Sequence, residues 1–300
     1  MKILLYESIS AAYISPNKNN QSEYPLSLLQ MGLSMRNALE EDLLKIKNIS
    51  LIIGKHNEGE NLNSYLNRIK TKIDAAWVVA PETKNKLIDA QQILSKTHWI
   101  GCEREALILT TKKSITKRKL LDFNILNPDS IVNNNSSSSG YVVKPDDGAG
   151  AENTTKFISL HDAIKKKKYC EDQGREVIIE NFILGQSMSF SMLCFPLKTE
   201  VIAINKQIID INKSGIISYL GVQRVNHKIE SSLKNKIDKI AVQIKNAIPG
   251  LKGFIGVDFI LDSNETIFVI EINPRITCAY IGLSKHLKRS IAEEIIKICT

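Results

Sequence analysis

The sequence predicts an α/β domain followed by two α+β lobes. Three observations predict it. Strands and amphipathic helices alternate over the first hundred residues, that texture stops after about position 105, and long strands dominate from about 186 onward. Strand–helix alternation implies a parallel sheet with helices on both faces, a Rossmann-like arrangement. The expected divisions are 1–105, 106–184 and 185–300.

The elements follow in order. "KILLY" reads as a strand and "PLSLLQMGLSMRNALEEDLLKI" as an amphipathic helix. "ISLIIG", "AAWVVAP" and "HWIG" are further strands, separated by the helical patterns "NLNSYLNRIKTK" and "TKNKLIDAQQILSK". The stretch "SITKRKLLDFNIL" reads as a helix ending at "NP", and "NNNSSSSG" at 133–140 as a flexible tip. "GYVVKP" is a strand, "DDGAGAEN" a glycine-containing loop, "SLHDAIKKKKYC" a helix and "EVIIENFI" a strand. Then come the strands "SMSFSMLCF", "EVIAINKQIID" and "IISYLGVQRV", a helix near 230–247, the hairpin "GFIGVDFILDSNETIFVIEINPR", and closing helices.

Composition narrows the function classes. The 300 residues are 43% hydrophobic, and no apolar run is long enough to span a bilayer. The start lacks the h-region and cleavage site of a signal peptide, so a cytoplasmic protein without a membrane partner is expected. Five scattered cysteines, none in a CxxC pair, argue against a disulfide framework or a zinc site. The net charge of +8 reflects a general lysine bias. The run "KKKK" at 165–168 lacks interleaved aromatics, so nucleic acid is not the expected partner.

The hairpin carries the chemistry. Residues i and i+2 share a face of a strand, so Glu271 and Asn273 point the same way. Antiparallel pairing across "DSNET" brings Asp258 beside Glu271. Two neighbouring carboxylates repel unless a cation lies between them, and an all-oxygen cluster suits Mg²⁺ or Mn²⁺. Arg275 follows, suited to a phosphate or a carboxylate. Upstream, Lys144 ends an apolar strand, and Gly148 and Gly150 let backbone amides approach an anion. Lys117 lies on a helix-like segment, and Glu180 ends a strand that leads into an extended "NFI" and Gly185. Taken singly, these pieces also read as solvated acids, an ordinary turn and a strand–turn–strand.

Their order is more telling: a Lys, a strand Lys with a glycine loop, a Glu with an extended hinge, an Asp, and Glu-x-Asn. This order resembles the ATP-grasp superfamily, which holds ATP between two α+β lobes behind an N-terminal α/β domain. The resemblance implies that Lys117 and Lys144 contact ATP phosphates under a "DDGAGAEN" lid. It implies that Glu180 accepts from the adenine amino group, with Asn181, Phe182 and Ile183 along the hinge. Asp258, Glu271 and Asn273 would hold Mg²⁺ or Mn²⁺. Where many members carry a ribose-binding Glu after the hinge glycine, this chain has Gln186 and Ser187.

A narrower resemblance runs through "LLYESIS", "DAAWVVAPETKNKL", "INKQII" and "EINPRITCAYIGL". These segments look like the ATP-grasp group of the tyramine–L-glutamate ligases of methanofuran biosynthesis. That group tends to carry a glycine-rich turn after the first strand, where this chain reads "SISAAYIS". The implied reaction joins a small-molecule acid to an amine through an acyl phosphate. Lys206 and Arg275 would then serve the transferred phosphate or the acid, and Thr277, Tyr280 and Glu7 the substrates, Glu7 as the amine's base. Tyr6 and Tyr13 supply aromatic material near the first loop. The alternatives are a ligase for another amino-acid or peptide pair, an ATP-binding protein without turnover, and a basic nucleic-acid module. A homodimer is the one assembly considered.

Overall fold

The computed structural model describes residues 1–13, 26–128, 139–225 and 231–300. The polar tip read at 133–140 lies outside them, apart from Ser139 and Gly140. So does Pro25, where the sequence pattern starts the first long helix.

The N-terminal part runs β1 (Lys2–Glu7), α1 (Ser8–Ala12), α2 (Leu26–Leu44), β2 (Ser50–Ile53), α3 (Leu62–Ile69), β3 (Ala75–Val79), α4 (Lys86–Ile93) and β4 (His98–Trp99). The strands form one parallel sheet in the order β2-β1-β3-β4. Period-two alternation sorts its side chains. Ile3, Leu5, Trp77 and Val79 pack with Leu39 and Leu43 of α2, while Leu4, Tyr6, Ala76 and Val78 pack with Leu66 of α3 and Leu87 of α4. Both faces are covered, as the alternating pattern requires.

Two helices follow, α5 (Arg104–Thr111) and α6 (Lys113–Asp122). The first is absent from the sequence reading. The second stops before "FNIL", because Asn124 adopts a left-handed φ of 56° that no helix continues through. Next come β5 (Tyr141–Pro145), β6 (Thr155–Phe157), α7 (Leu160–Asp172) and β7 (Val177–Asn181). The three strands form an antiparallel sheet ordered β6-β5-β7, packed on α7 through Val143, Ala163, Cys170 and Val177. The short β6 was also not legible in the sequence.

The remainder comprises β8 (Gln186–Cys194), β9 (Thr199–Ile211), β10 (Ile217–Arg224), α8 (Ser231–Ala247), β11 (Gly253–Leu261), β12 (Ile267–Asn273), a 3₁₀ turn at Cys278–Tyr280, α9 (Leu283–Leu287) and α10 (Ile291–Cys299). Its five strands are antiparallel in the order β10-β9-β8-β11-β12. One face is apolar. Phe190, Met192, Val257 and Phe259 pack there with Ile237, Ala241 and Ile244 of α8. The opposite face carries Asn205, Ser189 and Asp258, and this is where the polar groups gather. At the joint between the two antiparallel sheets, a Cβ on Gly185 would run into the Leu261 carbonyl and Ile260. Glycine is therefore required at the hinge.

Candidate active site

The hairpin geometry is the one its sequence pattern predicts. Asp258 of β11 stands opposite Glu271 of β12, and Gly256 opposite Asn273. A bulge directly after Asp258 ends this register. The turn between the strands is tied by Asp262, whose carboxylate accepts from the amides of Asn264 and Thr266. The three polar side chains thus share one face.

The two carboxylates are held differently. Asp258 accepts from the Gln207 amide at 2.8 Å and from the Asn273 amide at 3.2 Å. Burial, and then the Glu271 charge beside it, push the Asp258 carboxyl up to about 7. Glu271 instead pairs with the Lys113 ammonium at 3.1 Å. Burial works against the charge of Lys113, but Glu271 outweighs it and holds the ammonium above its ordinary value. Lys113 also donates to the Gly148 carbonyl at 2.8 Å, so it ties the glycine loop to the cluster.

A second knot forms around Glu180 at the end of β7. Lys144 of β5 lies 2.9 Å from one of its carboxylate oxygens, and Lys117 of α6 lies 3.3 Å from the other. All three side chains are buried. Register explains the meeting: Glu180 stands opposite Val142, one face-sharing step from Lys144. The carboxylate assigned to an adenine amino group is thus already engaged by the two lysines assigned to phosphate. Lys117 is buried rather than solvated, which its helical setting did not reveal.

Gly148 and Gly150 take φ values of 88° and 72°. The segment just before the loop they open is anchored twice. Asp147 accepts from the Lys84 amide, and the Asp146 carboxylate accepts from the amide and hydroxyl of Ser114 at the start of α6. Further on, Phe182 donates its amide to the Gly140 carbonyl, and the Lys156 ammonium lies 3.7 Å from the centre of its ring. Asn181 closes β7, and Ile183 continues the extended segment to Gly185.

Arg275 corrects one expectation. Its Nε and Nη2 donate to the two carboxylate oxygens of Glu82 at 3.0 and 2.9 Å, and its Nη1 donates to the Ile276 carbonyl at 3.2 Å. Glu82 is buried, and its pairing outweighs desolvation to hold the guanidinium above its ordinary value. The Arg275 fork is therefore committed to Glu82 and is not open to a substrate carboxylate. Glu82 and Lys113 were missed in the sequence. One sits in a loop after β3 and the other at a helix start, and neither belongs to a spacing motif.

Three further expectations change. Lys206 of β9 alternates with Asn205 and Gln207, so it lies on the opposite face from Asp258, beside Met188. It does not join the cluster. Glu7 is the N-cap of α1, its carboxylate accepting from the amides of Ile9 and Ser10, and Gly32 of α2 packs against it. Those bonds occupy it, which disfavours a role as the amine's base. Tyr280 is a core residue: its hydroxyl donates to Asp42 at 2.7 Å and its ring meets Phe254 edge-on. Tyr6 is likewise buried, bonded to His56. Thr277 stays near the site, its methyl packed against Gly256 opposite Asn273.

The cluster fits a divalent cation held jointly with a polyphosphate. Asp258 and Glu271 are hard oxygen donors whose mutual repulsion a cation would relieve. Among the described residues no three His, Cys, Asp or Glu side chains gather to hold a metal by themselves. Asn273 presents its amide nitrogen to Asp258 and its oxygen toward Arg275, at a marginal 3.5 Å. To donate a third oxygen it must turn its amide over. Lys113, on Glu271, and Lys117 and Lys144, on Glu180, supply three buried ammonium groups.

Comparison with known proteins agrees with this geometry. Residues 110–279 match the ATP-grasp domain, and residues 38–107 match the pre ATP-grasp 3 domain. The tyramine–L-glutamate ligase of Methanocaldococcus jannaschii is 32% identical over 261 residues, covering 86% of this chain and 73% of that protein. The enzyme of the same name from Methanocaldococcus fervens is 29% identical over 290 residues, covering 90% and 87%. An ATP-grasp superfamily protein from Archaeoglobus fulgidus superposes with a TM-score of 0.72 at 19% identity, over 99% of this chain and 88% of that one. D-alanine–D-alanine ligase from Bacillus anthracis gives 0.73 at 16% identity, over 100% and 97%. No helix among the described residues is long and apolar enough to cross a membrane. With that fold, those domains and those relatives, the chain belongs to the ATP-grasp family, as a carboxylate–amine ligase carrying a pre-ATP-grasp domain.

Proposed function

We propose that this ligase joins the γ-carboxylate of L-glutamate to tyramine or a similar aryl-ethylamine, through an acyl phosphate. The observation that carries the chemistry is a pair of buried knots joined through α6: its Lys113 pairs with Glu271, which stands opposite Asp258, and its Lys117 joins Lys144 of β5 on Glu180. The substrates rest on the two tyramine–L-glutamate ligases that resemble most of the chain.

A carboxylate is a poor electrophile. Its oxygen would attack the γ-phosphorus of ATP, the bond to the β-phosphate oxygen would break, and ADP would leave. The neutral amine would then attack the acyl carbon, lose a proton and expel phosphate. Both steps gather anions, and Lys117 and Lys144, now paired with Glu180, would neutralise the phosphates. Mg²⁺, held by Asp258, Glu271 and a turned Asn273, would supply further charge neutralisation. The loop at Gly148 and Gly150, tied to Lys113, would exclude water from the hydrolysable intermediate. The 106–184 and 185–300 divisions would act as the two jaws, with the 1–105 part holding Arg275 through Glu82.

Purified protein with ATP, Mg²⁺, L-glutamate and tyramine should yield γ-glutamyltyramine, ADP and phosphate, identified by mass spectrometry. ADP release only with other acid–amine pairs would refute the substrates and leave the ligase class standing.

A further inference from the structure

A cavity of about 480 Å³ opens between α2, β10 and the 3₁₀ turn at Cys278–Tyr280. That is ample for a small ligand. Its walls include Gln30 and Met31 of α2, Asn205 of β9, Tyr219 and Arg224 of β10, and Cys278. Among the described lining residues, Arg224 is the only charged one.

Arg224 is incompletely satisfied. Its Nη2 donates to the carbonyls of Ala279 and Ile281, at 3.2 and 3.0 Å. Its Nε is buried without a hydrogen-bond partner. No carboxylate among the described residues forms an ion pair with it, and burial alone pushes the guanidinium below its ordinary value. Arg275 differs in each respect, because Glu82 fills its fork. A buried orphan donor on an uncompensated cation is costly unless an anion completes it.

The sheet register connects this cation to the cluster. Arg224 stands opposite Asn205, Asn205 opposite Ser189, Ser189 opposite Asp258, and Asp258 opposite Glu271. One cross-strand row thus runs over all five strands, with the guanidinium at one end and the carboxylate pair at the other. Strand spacing puts roughly 14 Å between the backbones of Arg224 and Asp258. The side chains and a short ligand must fill that span. Asn205 bonds Ser189 at 3.3 Å along the row. Asn205 lines the cavity and stands two strands from Asp258 in this row, so the cavity lies along the row that leads to the cluster.

We infer that this cavity binds the acid substrate and that Arg224 holds its non-reacting carboxylate. The inference rests on the proposed reaction and deepens it. An amino diacid anchored by its α-carboxylate on Arg224 extends its γ-carboxylate along the row toward Asp258 and Glu271. This anchoring explains why the γ-carboxylate rather than the α-carboxylate reacts.

The test compares L-glutamate with isoglutamine, which keeps the γ-carboxylate and carries an α-amide. Binding is read by calorimetry on protein saturated with a non-hydrolysable ATP analogue. Wild type should prefer L-glutamate by about 10- to 100-fold, the worth of a charge-assisted pair. Arg224→Gln should bind the two alike, with analogue affinity unchanged. Arg224→Lys should show an intermediate preference, since it keeps the charge and loses the fork. Melting curves establish that both variants fold. An undiminished preference in Arg224→Gln overturns the assignment. So does weaker analogue binding with unchanged acid binding, which would place a phosphoryl group on Arg224. If ADP release requires a different acid, the same comparison is run on that acid and its amide. A substrate error in the proposed function is then separated from an error about Arg224.

Discussion

Asp258→Asn should stabilise the protein above neutral pH while abolishing turnover. The folded Asp258 carboxyl lies at about 7 against an ordinary 3.8, about a thousandfold tighter proton binding. At about 1.36 kcal/mol per tenfold this is roughly 4 kcal/mol. The sign follows from proton binding. An acid with a raised folded pKa binds its proton more tightly in the folded state. Its cost is absent below pH 4, grows as pH rises to about 7, and is constant beyond. Asparagine has no charge to bury, and it can still accept from Gln207 and bond Asn273 if one amide turns over. The variant's advantage should therefore be roughly 1–2 kcal/mol at pH 5 and about 4 kcal/mol at pH 8. Melting temperatures in EDTA at these two pH values read the difference, which should widen by several degrees. Mg²⁺ with an ATP analogue should close the gap, because a cation would offset the charge that Asp258 now carries unaided. Equal shifts at pH 5 and pH 8 would refute the argument, since a neutral packing change has no such pH dependence.

Glu271→Gln should abolish turnover and also lower the melting temperature, because Lys113 stays buried without its carboxylate. The unpaired charge costs roughly 3–5 kcal/mol. Adding Lys113→Met should restore the melting temperature but not turnover, and failure of that rescue would remove the pair from the account. Lys144→Ala should weaken ATP binding by at least tenfold, as loss of a charge-assisted contact does, whereas Lys206→Ala should leave it near wild type. Fluorescent-nucleotide titration that finds equal affinities would contradict the face assignment of Lys206. Glu82→Gln should destabilise by roughly 3–5 kcal/mol through the buried Arg275, and kcat should fall with little change in nucleotide affinity. Unchanged stability and kcat would show that Arg275 does not depend on the N-terminal part.

Local periodicity made part of this molecule legible from its sequence. Alternation of strands and helices predicts the parallel sheet, and the period of two puts Asp258, Glu271 and Asn273 on one face of a hairpin. The hairpin relation lies within some twenty residues, and backbone geometry alone settles it. Lys144 and Glu180 were legible as strand ends, but their pairing with Lys117 was not, because it depends on how a helix packs on a sheet. The Arg275–Glu82 pair spans 193 residues, and no pattern in either segment announces it. Arg224 looks in sequence like any strand arginine. It becomes a cation in a cavity, without an ion pair among the described residues, only because α2 and the turn after β12 close over β10. Glu7 and Tyr280 went the other way: reactive by residue type, they became a helix cap and a core residue once neighbours from α1 and α2 reached them. Burial decides whether a charged side chain is solvated, paired or left waiting for a ligand, and burial belongs to the assembled fold.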